Sequence, residues 1–85
     1  MHPLKLYTTL ACHLCEQAEA LLGQTLDVSM FECERVDIIT ENALLQRYGT
    51  RIPVLVCGKS GQELSWPFDS VDIDRFTRRI IDLAI

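Results

Sequence analysis

The stretch Tyr7-Thr8-Thr9-Leu10-Ala11-Cys12-His13-Leu14-Cys15-Glu16-Gln17-Ala18-Glu19-Ala20-Leu21-Leu22 sets two cysteines three residues apart, where a strand pattern gives way to a helical one. Leu4 to Thr8 alternates apolar and polar residues and ends in two threonines, which reads as a short strand. Leu14, Ala18, Leu21 and Leu22 then recur at helical spacing, while Glu16, Gln17 and Glu19 face away. With Gly23 as a C-cap, the pattern predicts a helix over 13–23. A cysteine at such a turn faces the unpaired amide N–H groups and the positive dipole end of the following helix. Thiols in this setting have pKa values of about 3.5–7.5, against about 8.5 for a free cysteine. Cys12 is therefore the expected nucleophile. Cys15, nearly one turn further on and directed inward beside Leu14 and Ala18, suits a resolving role. The pair permits thiol–disulfide exchange through a mixed disulfide. His13 reads either as an imidazole that stabilises the thiolate or as a solvent-facing residue of the first turn.

The rest of the chain continues the alternation of elements. Phe31 to Asp37 reads as a partly exposed edge strand ending in the apolar step Ile38-Ile39. Thr40 is the expected N-cap of a short helix with Leu44, Leu45 and Tyr48 on one side, stopped by Gly49. Pro53 to Cys57 reads as a buried strand, Gly58 to Gly61 as a turn, and Gln62 to Ser65 as the hairpin partner. Asp69 caps a last helix with Ile73, Phe76, Ile80 and Leu83 on its inner stripe. The order β-α-β-α-β-β-α implies a small mixed α/β sheet with helices on both faces, in one domain over 1–85.

An 85-residue chain with a formal net charge of −4 has no global positive field for a phosphate backbone or an anionic membrane. Neither nucleic acid nor membrane is an expected partner. Hydrophobic residues at 48% and charged residues at 24% fit a folded domain with a modest core, not a disordered chain. No charged leader precedes a long apolar segment, and no run approaches the length of a membrane span. A cytoplasmic, bacterial-type protein with reduced thiols is the resulting expectation.

The alternative use of the cysteine pair is zinc. A Cys₄ site needs two more ligands, usually a second close pair, and Cys33 and Cys57 stand apart in separate strands. They read as small buried hydrophobes, so no metal site is assigned. In Arg51-Ile52-Pro53-Val54-Leu55-Val56 the proline lacks a ladder donor and belongs at the first residue of a strand. A trans bond would mark that start and nothing more. A cis Ile52–Pro53 bond would let Ile52 offer its N–H and C=O to an extended substrate.

Taken together, Tyr7-x₄-Cys12-x-x-Cys15, Arg51-Ile52-Pro53-Val54-Leu55, the turn after it and Asp69 heading the last helix resemble a glutaredoxin of the thioredoxin fold. The likeness spans essentially the whole chain. It is similar above all to the small bacterial glutaredoxin-like proteins with a C-x-L-C motif, matched by Cys12-His13-Leu14-Cys15. The resemblance implies a sheet order of 2-1-3-4, Cys12 as the attacking thiol, and Pro53 as a cis-proline beside it. It also implies a thiol-disulfide oxidoreductase acting on protein or small-molecule disulfides as a monomer, with no bound cofactor. Glutathione would be a co-substrate, received by Arg51, Ile52, Pro53, Asp69 and Ser70, with His13 supporting the thiol. Trp66-Pro67-Phe68 stand where the family has a Gly-Gly turn, as an apolar rim beside the thiol or as a cover for the end of the sheet. The same fold can serve instead as a metal or iron–sulfur carrier without turnover.

Overall fold

The chain runs through β1 (His2–Thr8), α1 (His13–Thr25), β2 (Phe31–Asp37), α2 (Asn42–Tyr48), β3 (Val54–Cys57), β4 (Glu63–Ser65) and α3 (Ser70–Leu83). The computed structural model describes residues 1–83; the last two positions of the expected domain lie outside the described residues. The four strands form one sheet in the order β2-β1-β3-β4. β1 and β2 are parallel, from His2 opposite Phe31 to Thr8 opposite Asp37. β1 and β3 are antiparallel with Leu6 opposite Leu55, and β3 and β4 antiparallel with Val54 opposite Ser65. Parallel strands need a helical crossover, which α1 supplies, whereas the antiparallel pair needs only the tight turn at Gly58–Gly61. Gly61 sits at φ +78, a left-handed turn position that glycine takes without a Cβ clash.

Strand alternation sorts the core into two layers. Leu4, Leu6, Leu55 and Cys57 face one side and pack with Ala18 and Leu22 of α1 and Ile73, Phe76 and Ile80 of α3. Val54 and Val56 face the other side, with Tyr48 of α2 and Ile38, flanked by Tyr7, Leu44 and Ile52. β3 is buried at every position, as a central strand covered on both faces must be. Among the described residues no helix is long and apolar enough to cross a membrane.

Several local expectations change. α1 continues through Gly23 to Thr25 and closes with Leu26 N–H on the Leu22 carbonyl. Its buried stripe is Cys15, Ala18 and Leu22, so Leu14 lies one position off it and is 45% exposed. Thr40 does not cap α2. It ends a 3-10 turn, Ile38–Thr40, capped by the Asp37 carboxylate accepting from Ile39 N–H, and Glu41 precedes α2 without a side-chain cap. Leu45 is exposed on α2 rather than facing inward, and Leu83 lies at the exposed end of α3. Cys33 is exposed, not buried, because β2 is an edge strand whose covering helix leaves this position open. Cys57, in a central strand, is buried as expected.

Leu55 is fully buried and Leu14 is not. Leu55→Ala should cost about 2–5 kcal/mol, because the neighbouring side chains close the cavity only in part. Leu14→Ala, a surface change, should stay within about 0.5 kcal/mol. Urea unfolding followed by circular dichroism distinguishes them, and equal midpoints would contradict the observed phase of α1.

Candidate functional site

Ala11 carries the chain from β1 into α1 at φ +58, the left-handed region that a non-glycine residue occupies only when its surroundings hold it there. Cys12 follows in an extended conformation as the N-cap of α1, and its Sγ accepts the Cys15 N–H at 3.2 Å. A sulfur thus stands where serine or aspartate commonly caps a helix, receiving one of the four amide groups that the first turn leaves without intrahelical partners. In the dithiol form the same N–H and the helix dipole would favour a thiolate at this position. Cys12 and Cys15 are joined as a disulfide with their Cα atoms 5.2 Å apart. Cys12 is half-buried, whereas Cys15 is 1% exposed beneath it. Only the first sulfur faces an incoming molecule. His13 and Glu16 are both exposed at the start of the helix, with Nδ1 3.9 Å from the carboxylate, so the imidazole is oriented by solvent as much as by protein.

The sheet register brings the other expected site residues to the same end of the molecule. Tyr7 lies opposite Val54, so the bend before β3 sits beside Thr8, where β1 runs out toward Cys12. The Ile52–Pro53 bond there is cis, as is Trp66–Pro67 after β4. Pro53 is buried, and its carbonyl accepts from Trp66 N–H at 3.2 Å. The Ile52 N–H is not free for a substrate strand, contrary to the sequence reading, because it donates to the Tyr48 carbonyl at 3.1 Å as α2 ends. Of the two groups expected to pair with an extended chain, the Ile52 carbonyl remains.

Asp69 and Asp72 cap α3 reciprocally. Asp69 Oδ1 accepts from Asp72 N–H at 2.9 Å, and Asp72 Oδ2 accepts from Asp69 N–H at 3.0 Å. This is a capping box with aspartate in the return position. The first of these bonds, from the Asp72 amide, is the main cause that holds the Asp69 carboxyl below the usual carboxylate range. Ser70 is exposed at the first residue of α3. Trp66 and Phe68 meet edge to face at 5.0 Å. Phe68 is buried in the core shared by α1 and α3 with Trp66 packed against it, so the pair covers the sheet and forms no open rim.

Arg51 turns back along the sheet instead of reaching over Cys12. Its guanidinium donates to Glu63 Oε1 at 2.6 Å and lies 3.4 Å from Ser65 Oγ. Tyr48 Oη donates to Glu63 Oε2 at 2.8 Å, and Arg47 reaches the same oxygen at 3.5 Å. Both guanidinium groups lie within 5.4 Å of the Tyr48 ring centre, and the ring stacks on Tyr7 at 4.4 Å. Hydrogen bonds from Arg51 and then Tyr48 hold the Glu63 carboxyl below its ordinary range. Burial, and then the hydrogen bond to Glu63, push the Tyr48 phenol up. Sequence reading singles out Arg51 and Tyr48 but not Glu63, which lies 12 residues beyond Arg51 and within an ordinary strand alternation.

The remaining thiols are distant from Cys12. Cys33 and Cys57 both stand opposite Leu4, one in each neighbouring strand, toward the end of β1 away from Cys12. The four sulfurs do not converge on one point. Cys33 lines a cavity of about 290 Å³ with Glu19, Leu22 and Phe31. Loss of water there, and then the Glu19 carboxylate, raise its thiol pKa.

A mixed sheet of order β2-β1-β3-β4 crossed by α1, with a cysteine pair at the head of that helix, defines a thioredoxin-like fold. A family model described as Glutaredoxin-like domain (DUF836) matches residues 3–77, and the chain belongs to that family. The X-ray structure of the structural-genomics target protein XcR50 from X. campestris is 37% identical. It superposes with a TM-score of 0.78 over 89% of this chain and 96% of that one. The solution structure of the same protein gives 0.76 over 93% and 95%. Protein Ne2328 from Nitrosomonas europaea, 30% identical, gives 0.68 over 88% and 89%. Among curated proteins no significant match is found. Family and disulfide together point to a redox-type function.

Because the folded-state pKa of Glu63 is depressed, its contribution to stability is fully present above the unfolded value of about 4.3 and is lost as pH falls through the lower folded value. The melting-temperature gap between wild type and Glu63→Gln should therefore be widest near neutrality and shrink below about pH 4. Thermal melts across pH 2.5–7 check this; a constant gap would mean that the carboxylate is not the stabilising form.

Proposed function

We propose that the protein is a thiol–disulfide oxidoreductase that reduces disulfides through Cys12 and Cys15. The observation that supports this reading most directly is the division of the pair. Cys12 is only half-buried and its Sγ receives a helix-terminal N–H, while Cys15 is buried and already bonded to it. In the reduced protein the Cys12 thiolate attacks one sulfur of a substrate disulfide. The Cys12–substrate S–S bond forms, the substrate S–S bond breaks, and the second sulfur leaves as a thiolate that takes up a proton from water. Cys15, deprotonated in turn, attacks Cys12 Sγ and expels the first substrate sulfur. Two electrons have then passed to the substrate, and the protein is left in the disulfide form seen here. Return to the dithiol uses an external thiol reductant by the same exchange in reverse.

The buried Cys15 suits intramolecular release, since a fully buried thiol competes poorly for outside disulfides but needs little movement to reach Cys12. Protein or small-molecule disulfides are the proposed substrates, acted on by a monomer in the cytoplasm. A metal or cluster carrier on this fold would need ligands from elsewhere, because Cys33 and Cys57 lie toward the far end of β1.

Cys15→Ser should accumulate a mixed disulfide on Cys12 when mixed with a disulfide-bonded protein, whereas Cys12→Ser should form none. Peptide mapping by mass spectrometry locates the adduct. In the reduced wild type, iodoacetamide at pH 7 should label Cys12 at least tenfold faster than Cys33, whose thiolate is disfavoured. Equal labelling of the two, or an adduct on Cys33 alone, would remove the assignment of Cys12 as nucleophile.

A further inference from the structure

Three of the groups expected to receive a small anionic thiol compound beside Cys12 are already engaged within the chain. The Ile52 N–H donates to Tyr48, the Asp69 carboxylate closes the cap of α3, and the Arg51 guanidinium is held by Glu63. The last of these matters most for charge, because a guanidinium can grip a ligand carboxylate with two parallel hydrogen bonds. Glu63 lies opposite Val56, and Ser65 opposite Val54. Arg51, anchored next to Ile52 and Pro53, therefore extends toward the middle of the sheet on the α2 side. At about 3.4 Å per residue, its contact with Glu63 lies two residues, about 7 Å, along β3 from the end that adjoins Cys12. Tyr48 fixes the acceptor from below by donating to the other carboxylate oxygen, and its ring supports both arginines. Arg47, the other cation nearby, meets the same carboxylate. Glu63 is the more enclosed partner of both ion pairs, 21% exposed against 40% for Arg51, so the site of charge is set by the carboxylate.

We propose that Glu63 sets the substrate class of the dithiol by withholding Arg51 from ligand carboxylates. The disulfides accepted are those that bring no carboxylate to this edge, which describes a cystine within a polypeptide backbone and not a free anionic thiol such as glutathione. This rests on the exchange reading of Cys12 and adds to it a residue that touches neither sulfur. Glu63 acts through Arg51, as a positioning residue, and its role is visible only in how the reaction depends on substrate charge. Among the described residues the Ile52 carbonyl accepts no backbone hydrogen bond, which leaves it to an extended backbone N–H of a polypeptide.

The full-length Cys15→Ser protein, with Cys12 reduced, is mixed with three disulfides of similar size at their sulfurs: oxidised glutathione, 2-hydroxyethyl disulfide and cystamine, which are anionic, neutral and cationic. In each case Cys12 thiolate forms the mixed disulfide and one thiolate leaves, and the second-order rate is read by mass spectrometry. Glu63→Gln should raise the rate with oxidised glutathione relative to 2-hydroxyethyl disulfide by roughly tenfold, the order expected when one charge-assisted hydrogen bond becomes available to a ligand. Adding Arg51→Ala to Glu63→Gln should return that ratio to the starting value, and Glu63→Asp should leave it near the starting value. An unchanged ratio in Glu63→Gln overturns the proposal. So does a gain that survives loss of Arg51, since bulk charge would then explain it. Failure of Cys12 to react even with the neutral disulfide would overturn the exchange reading together with this one. Reaction with the neutral disulfide and an unchanged ratio removes the role of Glu63 alone.

Discussion

A sulfur caps a helix in this protein, and the arrangement of everything near it follows. The Cys15 N–H reaches Cys12 Sγ because Ala11 takes a left-handed conformation that swings the chain from the end of β1 onto the axis of α1. The same turn leaves Cys12 at the surface and sends Cys15 inward, so one hydrogen bond separates two chemically identical residues into an accessible thiol and an enclosed one. A helix has four such amide groups at its start, and a thiolate is a group that gains from them.

The sheet makes that arrangement rigid. β1 lies between a parallel and an antiparallel neighbour, with Leu4 and Leu6 packed among α1 and α3 and Tyr7 stacked on Tyr48 across the opposite face. The antiparallel register with β3 then leaves no freedom in where Pro53 falls: once Tyr7 stands opposite Val54, the preceding residue must lie beside the turn that carries Cys12. In a small domain with a modest core, two layers packed on one buried strand fix the element ends that carry the site.

Charge is handled differently from apolar packing. The polar contacts of the site are short and mutual, as in the paired aspartates at the head of α3 and the Glu63 carboxylate that receives Tyr48 and both arginines. Each arrangement satisfies groups that would otherwise be open to a ligand. Electrostatic selectivity at the site therefore depends as much on which cations are already partnered as on which are present.

The sequence by itself was enough for the order of elements, the family, the placement of the cysteine pair at a strand-to-helix turn, and the cap at Asp69. The family came from a resemblance spanning the chain; the rest came from local rules, alternation, helical periodicity, capping residues and turn glycines, read within a few positions. It was enough for the burial of Cys57 but not for the exposure of Cys33, since both lie in strands and only the lateral order of the sheet makes β2 an edge. Tertiary structure alone decided that Leu14 lies off the buried stripe of α1, that the Ile52 amide is taken by Tyr48, and that Arg51 turns toward Glu63. The physical reason is distance along the chain. A guanidinium chooses its carboxylate by proximity in the folded molecule, and residues 12 to 16 positions apart become neighbours only after the hairpin has closed.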